Sequence, residues 1–148
     1  MSVQPKPQPT RVLAPDLLAR FIAIVGQKYA VTDPQMQTPY LVEMRDLYHG
    51  HTPVVLRPGS VNEVAAILKL ANDTKTAIVP QGGNTGLVGG QIPHHGEIVL
   101  SLTRLDKIRE VDPISNSMTV EAGVTLQRAR EAGSVFRTNS CWWSRSIT

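Results

Sequence analysis

The strongest constraint on the fold of this chain is a strand–helix–strand pattern in residues 54–83. The run PVVLRP is short, apolar and rich in β-branched residues, and Pro58 closes it, which is typical of a strand buried on both faces. The helical segment GSVNEVAAILKLANDTK follows, with Ser60 and Glu63 at capping-box spacing. TAIVPQGG then predicts a second buried strand. This spacing predicts a right-handed βαβ crossover, and we expect its two strands to be parallel neighbours.

Periodicity predicts the remaining elements. A helical stripe runs through PDLLARFIAIV, with Pro15 in its first turn and Gly26 at its end. EIVLSLTRL, residues 97–105, predicts a third strand, KIREVDPISNSMTVEAG a hairpin, and TLQRAREAG the start of another helix. Residues 31–53 have no clear period and are expected to form a surface connection. The apolar face predicted for the crossover helix consists of Val61, Val64, Ala65, Leu68 and Ala71.

Composition limits the class of protein. With 148 residues, 41% of them hydrophobic, the chain is long enough for one globular domain with a modest core. No run reaches the roughly eighteen apolar residues of a membrane span, and the polar start MSVQPKPQPTR lacks the apolar stretch of a secretory signal. The single cysteine, Cys141, agrees with a reducing compartment, so we expect a cytoplasmic location. A net charge of +3 without a dense Lys/Arg run argues against a nucleic-acid partner.

The second predicted strand runs into PQGGNTGLVGG, Pro80 to Gly90, which holds five of the eleven glycines. Glycine has no Cβ, so it adopts positive φ freely and lets a ligand approach the backbone. Gly82, Gly83 and Gly86 can therefore turn successive N–H groups toward one point, which forms an anion nest. Because the loop leaves the carboxyl end of a strand in a parallel sheet, the expected ligand is a phosphate or pyrophosphate.

Other known glycine-rich motifs can be compared with the sequence of this loop. A Walker loop fits poorly because no lysine lies between Pro80 and Gly90, and the glycines do not have the G-x-G-x-x-G spacing of a Rossmann fingerprint. A structural turn without a ligand needs fewer glycines. Asn84 and Thr85 either donate to phosphate oxygens or fix the turn, and Asn84 tolerates the left-handed conformation.

No catalytic residue and no metal site is predicted. The four histidines form two local pairs, His49 with His51 and His94 with His95. Neither pair has a cysteine or carboxylate at ligand spacing, so all four are interpreted as loop histidines. Cys141 has no identifiable base. Arg57 is interpreted as a solvated strand-end arginine rather than a phosphate partner, and the charges in residues 106–112 as a solvated edge that prevents strand pairing.

Four segments together resemble a known family. VVLRPGSVNEVAAILKLAN, AIVPQGGNTGLVGGQIP, EIVLSLTRLDKIREVDP and MTVEAGVTLQ, in this order, resemble the N-terminal half of the vanillyl-alcohol-oxidase-type FAD-binding domain. The likeness covers residues 17–133 and is closest to the FAD-linked D-2-hydroxyacid dehydrogenases, which include D-lactate, D-2-hydroxyglutarate and glycolate-oxidase-type enzymes. Met44 departs from it, because many relatives carry a tryptophan there. The resemblance implies an α+β fold whose first subdomain has a small parallel sheet with flanking helices and whose second subdomain is truncated.

The resemblance also supplies a ligand for the nest. It implies that the loop formed by Gly82, Gly83, Asn84, Thr85 and Gly86 wraps the FAD pyrophosphate. It further implies that the turn at Gly90 and Gln91 approaches the flavin. Relatives that attach flavin covalently often use a histidine in this loop, which Asn84 and Thr85 do not replace, so non-covalent FAD is expected.

Four segments are predicted along the chain. They are a mobile leader (1–14), an N-terminal helix with its connection (15–53), the N-terminal part of the FAD-binding domain (54–133) and an atypical tail (134–148). The tail is interpreted as frameshifted or truncated sequence, with a disordered natural tail as the alternative.

In the full-length family, a further domain supplies the site for a small 2-hydroxy acid. This fragment alone is expected to bind FAD weakly or not at all and to show no turnover. The open alternatives are a non-catalytic nucleotide- or phosphate-binding module and a non-functional truncated product.

Overall fold

A computed structural model describes residues 13–134 of the chain. The chain divides into two compact units, Met1–Arg104 and Leu105–Thr148. Apart from residues 13, 14 and 134, the predicted leader and tail lie outside the described residues. The helices are α1 (Pro15–Val25), α2 (Pro34–Leu41), α3 (Val61–Thr74) and α4 (Leu126–Ser134), with a 3-10 turn at Gln27–Tyr29. The strands are β1 (Ala30–Val31), β2 (Val55–Leu56), β3 (Ile78–Gln81), β4 (Ile98–Ser101), β5 (Ile108–Asp112) and β6 (Ser117–Val120).

The first unit contains a four-stranded sheet in the order β1-β2-β4-β3. β2 and β3 both pair with β4 in parallel, whereas β1 pairs with β2 antiparallel. The prediction that the crossover strands β2 and β3 are neighbours is therefore wrong, because β4 lies between them. All four residues of β4 are buried, so it takes the centre. β3 is an edge strand that is mostly only half-buried, contrary to the prediction, and an edge tolerates the missing N–H of Pro80.

The core of the first unit lies between the sheet and the two helices α1 and α3. Phe21 of α1 and Ile67 of α3 are fully buried against Leu56 and Leu100, which point to the same face of the sheet. On the opposite face, Val55 of β2 is paired with Val99 of β4, and both are fully buried. The prediction that β2 is buried on both faces is therefore confirmed.

The two core helices begin and end much as the sequence predicts. α1 starts at Pro15 and ends before Gly26, whose φ is +80°. At the start of α3 the Ser60 hydroxyl accepts from the Glu63 amide at 3.2 Å. The Glu63 carboxylate reaches back to the amide of Gly59 at 2.8 Å, one residue earlier than a capping box requires. Two backbone N–H groups at the start of α3, those of Gly59 and Glu63, therefore have side-chain acceptors.

The face that α3 buries is displaced from the prediction. Ile67 and Ala71 are buried, and Val64 is packed against them. Val61 and Leu68, which were assigned to the apolar face, are 54% and 47% exposed. The spacing of residues 64, 67 and 71 fits a helical stripe as well as the predicted one, and contact with the sheet decides between the two.

Residues 31–53 contain a helix that the sequence analysis missed. Asp33 caps α2 by accepting from the Gln35 amide at 2.8 Å, and Pro34 occupies its first turn. The buried residue of α2 is Gln37, whose side chain donates to the Val31 carbonyl at 2.9 Å. A helix that buries an amide has no apolar period, so only the Asp33-Pro34 start signal could have revealed it.

The second unit is a hairpin followed by a helix, as predicted. β5 and β6 are antiparallel, and the Asp112 carboxylate at the turn accepts from the amides of Ile114 and Ser115. The hydroxyl of Ser115, followed by these amides, lowers the pKa of Asp112. The charged edge contains ion pairs as well as solvated groups, since Arg109 pairs with Glu121 at 3.2 Å.

No helix among residues 13–134 is both long and apolar enough to cross a bilayer.

We expect Ile67→Ala to lower the free energy of unfolding by about 2–5 kcal/mol, because it leaves a cavity between α3 and the sheet. The matched control is Leu68→Ala, one residue further on and half-exposed, which should cost about 0.5 kcal/mol or less. Urea denaturation followed by circular dichroism measures both. Equal costs would contradict the observed face of α3.

Candidate functional site

The candidate site is the glycine loop, residues 82–91, which leaves the carboxyl end of β3. β2 and β4 run parallel to β3, so their carboxyl ends lie at the same edge of the sheet. Ligands of open parallel sheets bind at this edge. Most of the predicted site residues are exposed, namely Gly82, Gly83, Thr85, Gly86 and Gly90, while Asn84 and Gln91 are half-buried.

Side chains at the start of the loop bind the end of α2. A helix leaves its last carbonyls without intrahelical partners. The Asn84 side-chain nitrogen donates to the carbonyls of Pro39 and Val42 at 2.9 and 2.8 Å. The buried Gln81 side chain donates to the Tyr40 carbonyl at 2.9 Å. Asn84 and Gln81 therefore cap α2. The sequence analysis missed this capping role because it depends on contacts between residues that are distant in the sequence.

These contacts narrow the roles open to Asn84. Its side-chain amide has two hydrogens, and both already bind carbonyls of the α2 end. No donor is left on that side chain for a phosphate oxygen, so it fixes the turn. The φ of Asn84 is +54°, which is the left-handed conformation that the sequence analysis considered for this residue. Its backbone N–H stays available.

The glycines serve the loop in two ways. A Cβ on Gly86 would lie 2.5 Å from Oε1 of Gln91, and one on Gly89 would lie 2.8 Å from the Tyr48 ring. A Cβ on Gly82 or Gly90 would meet no atom within 4 Å. Gly86 and Gly89 therefore permit close packing inside, whereas Gly82 and Gly90 leave space outside that a ligand can enter.

Positive φ occurs at fewer of these glycines than the nest argument assumes. Within the loop, Gly89 has a φ of +75°, and the other left-handed residue is Asn84. Gly82, Gly83 and Gly86 have ordinary φ values. A left-handed backbone conformation therefore does not explain the glycines at these three positions.

The backbone amides of the loop are without partners in the part of the chain that the structure describes. Among the described residues, none of the N–H groups of residues 82–91 donates to an acceptor. Buried backbone groups are almost always paired, so unpaired amides persist where water or a ligand reaches them. The loop therefore places a row of amides without described acceptors, most of them in exposed residues, at the carboxyl edge of a parallel sheet, and this set suits a phosphate group.

A tight turn beside the loop contains a buried carboxylate. Glu43 is 2% exposed and accepts from the amides of Arg45 and Leu47, each at 2.9 Å. Nε of Arg45 lies 3.6 Å from the same carboxylate, and its Nη2 donates to the carbonyl of Leu87 in the glycine loop. Burial raises the pKa of Glu43, but the two amides and the Arg45 charge outweigh it and leave the pKa below its usual value.

Other candidates from the sequence lie as follows. His49 contacts Asp46, and His94 lies 3.3 Å from the Gly89 carbonyl. Within residues 13–134, no group of three or more His, Cys, Asp or Glu side chains could hold a metal ion. Cys141 lies outside the described residues. Nε of Arg57 is buried without a partner in the described part of the chain, so Arg57 is not simply solvated.

Comparison with known proteins identifies the family. A model of the FAD binding domain matches residues 52–136. This match covers more than half of the chain, so the chain belongs to the FAD binding domain family. The D-2-hydroxyglutarate–pyruvate transhydrogenase of Saccharomyces cerevisiae is 37% identical over 82% of this chain. The mitochondrial D-2-hydroxyglutarate dehydrogenase of Danio rerio is 38% identical over 66% of it.

Solved structures with the same fold agree with this family. Alkyldihydroxyacetonephosphate synthase superposes with a TM-score of 0.73 at 18% identity, over 86% of this chain and 26% of that one. p-Cresol methylhydroxylase gives a TM-score of 0.72 at 24% identity, over 86% of this chain and 26% of that one. The predicted α+β, vanillyl-alcohol-oxidase-type FAD-binding fold is confirmed. The chain spans 25% and 18% of the length of the yeast and zebrafish relatives.

Asn84→Gly should lower the free energy of unfolding by about 1–3 kcal/mol, because it removes the two hydrogen bonds from the Asn84 side chain to the end of α2 while keeping the left-handed backbone. Asn116→Gly is the matched control. Asn116 has a φ of +52° in the hairpin turn and is exposed, so its replacement should change stability by about 0.5 kcal/mol or less. Thermal unfolding of both variants measures the difference; equal effects would show that Asn84 does not cap α2.

The buried Glu43 should make stability depend on pH. Its pKa is lowered from the ordinary 4.5 in the folded chain, so its contribution is complete above that value. The contribution is lost as the pH falls through the folded pKa. Urea titrations from pH 7 to about pH 3 should show a smaller loss for Glu43→Gln than for the unchanged chain. Parallel curves would contradict the ionised, buried state of Glu43.

Proposed function

We propose that the glycine loop binds the diphosphate of FAD through backbone N–H groups. The observation that carries the proposal is that no amide of residues 82–91 has an acceptor within the described part of the chain, and that most of these residues are exposed. Gly82, Gly83, Thr85 and Gly86 would hold the phosphates, and Asn84 would contribute its backbone amide. The membership of the chain in the FAD binding domain family supports FAD over other phosphate ligands.

The turn at Gly90 and Gln91 would face the flavin. A Cβ at Gly90 would meet open space, so a ring can approach the backbone there. The Gln91 side chain donates to the Gly86 carbonyl at 2.7 Å. Gln91 would therefore act on the flavin through its backbone, while its side chain keeps the loop closed.

FAD would be held without a covalent bond. The loop itself contains no histidine, cysteine or tyrosine in residues 82–91, so it offers none of the usual side chains for a bond to the flavin. The donors that remain are N–H groups, which form reversible contacts with phosphate oxygens.

The activity to which this domain would contribute is oxidation of the CH–OH group of a small D-2-hydroxy acid. The bound isoalloxazine would accept the hydride from the substrate. The yeast and zebrafish relatives, whose names specify D-2-hydroxyglutarate, support this substrate class. The residues of this chain would hold and orient the cofactor, and we assign none of them a catalytic role.

The cytoplasmic location stays a prediction. The zebrafish relative is named as mitochondrial, which does not favour the cytoplasm. The sequence features behind the expectation are the single cysteine and the polar start of the chain.

A second function uses the same amides. A nest of N–H groups recognises the charge and shape of a diphosphate and makes no distinction between the molecules that carry it. The alternative is therefore a module that binds nucleotides or phosphate without a flavin. The two functions differ in whether the isoalloxazine adds affinity.

An NMR titration of the ¹⁵N-labelled chain with FAD, ADP and pyrophosphate tests the proposal. Resonances of the loop amides should shift with all three ligands, and FAD should bind more tightly than ADP. We expect weak binding, near a Kd of about 1 mM, or about −4 kcal/mol, because this chain provides only part of the enclosure of a full-length relative. Equal affinity for FAD and ADP would favour the phosphate module.

An activity assay complements the titration. The chain with FAD should not reduce a dye with D-lactate or D-2-hydroxyglutarate, because no catalytic residue is assigned to it. Robust turnover would show that the chain carries a substrate site. Absence of any loop shift at about 10 mM ligand would contradict the proposed function itself.

A further inference from the structure

Three carbonyls of the glycine loop accept hydrogen bonds from other described residues. The Gly86 carbonyl accepts from the Gln91 side chain at 2.7 Å, and the Gly89 carbonyl from the Ile92 amide at 3.0 Å. The Leu87 carbonyl accepts from Nη2 of Arg45. All three carbonyls therefore already have a donor among the described residues.

Because the peptide unit is planar, a bound carbonyl also fixes the direction of the N–H group of the next residue. In a trans peptide, the carbonyl of one residue and the N–H of the next point in opposite directions. Binding of the Gly86 and Leu87 carbonyls therefore directs the N–H groups of Leu87 and Val88 away from the side chains of Gln91 and Arg45. Both amides lack an acceptor among the described residues, and the two residues are 52% and 84% exposed.

Arg45 reaches the loop in a fixed orientation. A free arginine side chain would lose conformational entropy when it binds one carbonyl. Here the buried Glu43 carboxylate holds Nε of Arg45 at 3.6 Å, and the amides of Arg45 and Leu47 hold that carboxylate. The side chain of Arg45 is still 45% exposed. Much of the ordering is therefore complete before Arg45 contacts Leu87.

We propose that the amides of Leu87 and Val88 are phosphate donors of the loop, and that Arg45, oriented by Glu43, is the positioning residue that presents the Val88 amide. This inference rests on the proposed function and extends the site beyond Gly82–Gly86. Arg45 acts through the Leu87 carbonyl, so its charge is not itself the recognition element. The proposed binding site therefore also includes the segment of residues 43–48, which lies outside the glycine loop.

The side chains of Leu87 and Val88 play no part in this recognition. Both are exposed, and a backbone donor is present in every residue except proline. Val88→Ala keeps the N–H group and removes most of the side chain, whereas Val88→Pro removes the N–H group. This pair separates a backbone contact from a side-chain contact at one position.

The test is a pyrophosphate titration of the ¹⁵N-labelled chain and its variants, followed by NMR. In the unchanged chain the Leu87 and Val88 amides should shift downfield together with those of residues 82–86. Arg45→Gln should weaken pyrophosphate binding about 5- to 20-fold and reduce the Val88 shift most. Glu43→Gln should act in the same direction, since it releases Arg45.

The controls separate a local effect from general destabilisation. Arg20→Gln removes an exposed arginine on α1 and should leave both the affinity and the Val88 shift unchanged. Val88→Pro should bind pyrophosphate about tenfold more weakly than Val88→Ala, because only the alanine variant keeps the N–H group. Thermal unfolding of Arg45→Gln and Val88→Pro shows whether each is folded; if Arg45→Gln does not fold, the Val88 pair decides the proposal.

The outcomes distinguish the two proposals. Shifts confined to residues 82–86 would overturn this inference and leave the proposed function standing. An unchanged Val88 shift in Arg45→Gln would also overturn the positioning role. If no loop amide of the unchanged chain responds to pyrophosphate, both proposals are wrong.

Discussion

The structure of the site depends on two side-chain amides that cap a helix. Asn84 and Gln81 donate to the last carbonyls of α2, those of Pro39, Tyr40 and Val42. Without these donors, carbonyls at the end of α2 would lose partners and the start of the glycine loop would lose its attachment. One set of hydrogen bonds thus fixes both α2 and the loop that follows β3.

Within the loop, the carbonyls and side chains have a different role from the N–H groups. Carbonyls and side chains of the loop bind the protein, while its N–H groups have no acceptor among residues 13–134. A backbone arranged in this way is preorganised, because little rearrangement is needed when an anion arrives. The loop contains no lysine or arginine, so the proposed recognition would rest on the dipoles of its N–H groups rather than on a formal charge within it.

The sequence predicted the local elements well and the long-range contacts poorly. The helical stripes of α1 and α3 and the apolar run of β4 are local patterns, so they are visible in the sequence. Strand order is not local, which is why the position of β4 between β2 and β3 was missed. α2 was missed because its buried residue is Gln37, an amide that breaks the apolar period.

The site shows the same limit. The glycine-rich sequence predicted the loop and suggested phosphate as its ligand, since access to the backbone requires residues without side chains. It did not show that the side chain of Asn84 faces α2, because its partners lie 45 and 42 residues away. Arg45 and Glu43 were missed for the same reason: their spacing matches no motif, and their role appears only when Arg45 meets Leu87.

A crystal structure of the chain with FAD would test the central claim most directly. The account predicts that N–H groups of the loop lie about 2.7–3.2 Å from diphosphate oxygens, while the Asn84 side chain stays on the carbonyls of Pro39 and Val42. A diphosphate bound elsewhere, or an Asn84 side chain that leaves α2 to contact the phosphate, would contradict it.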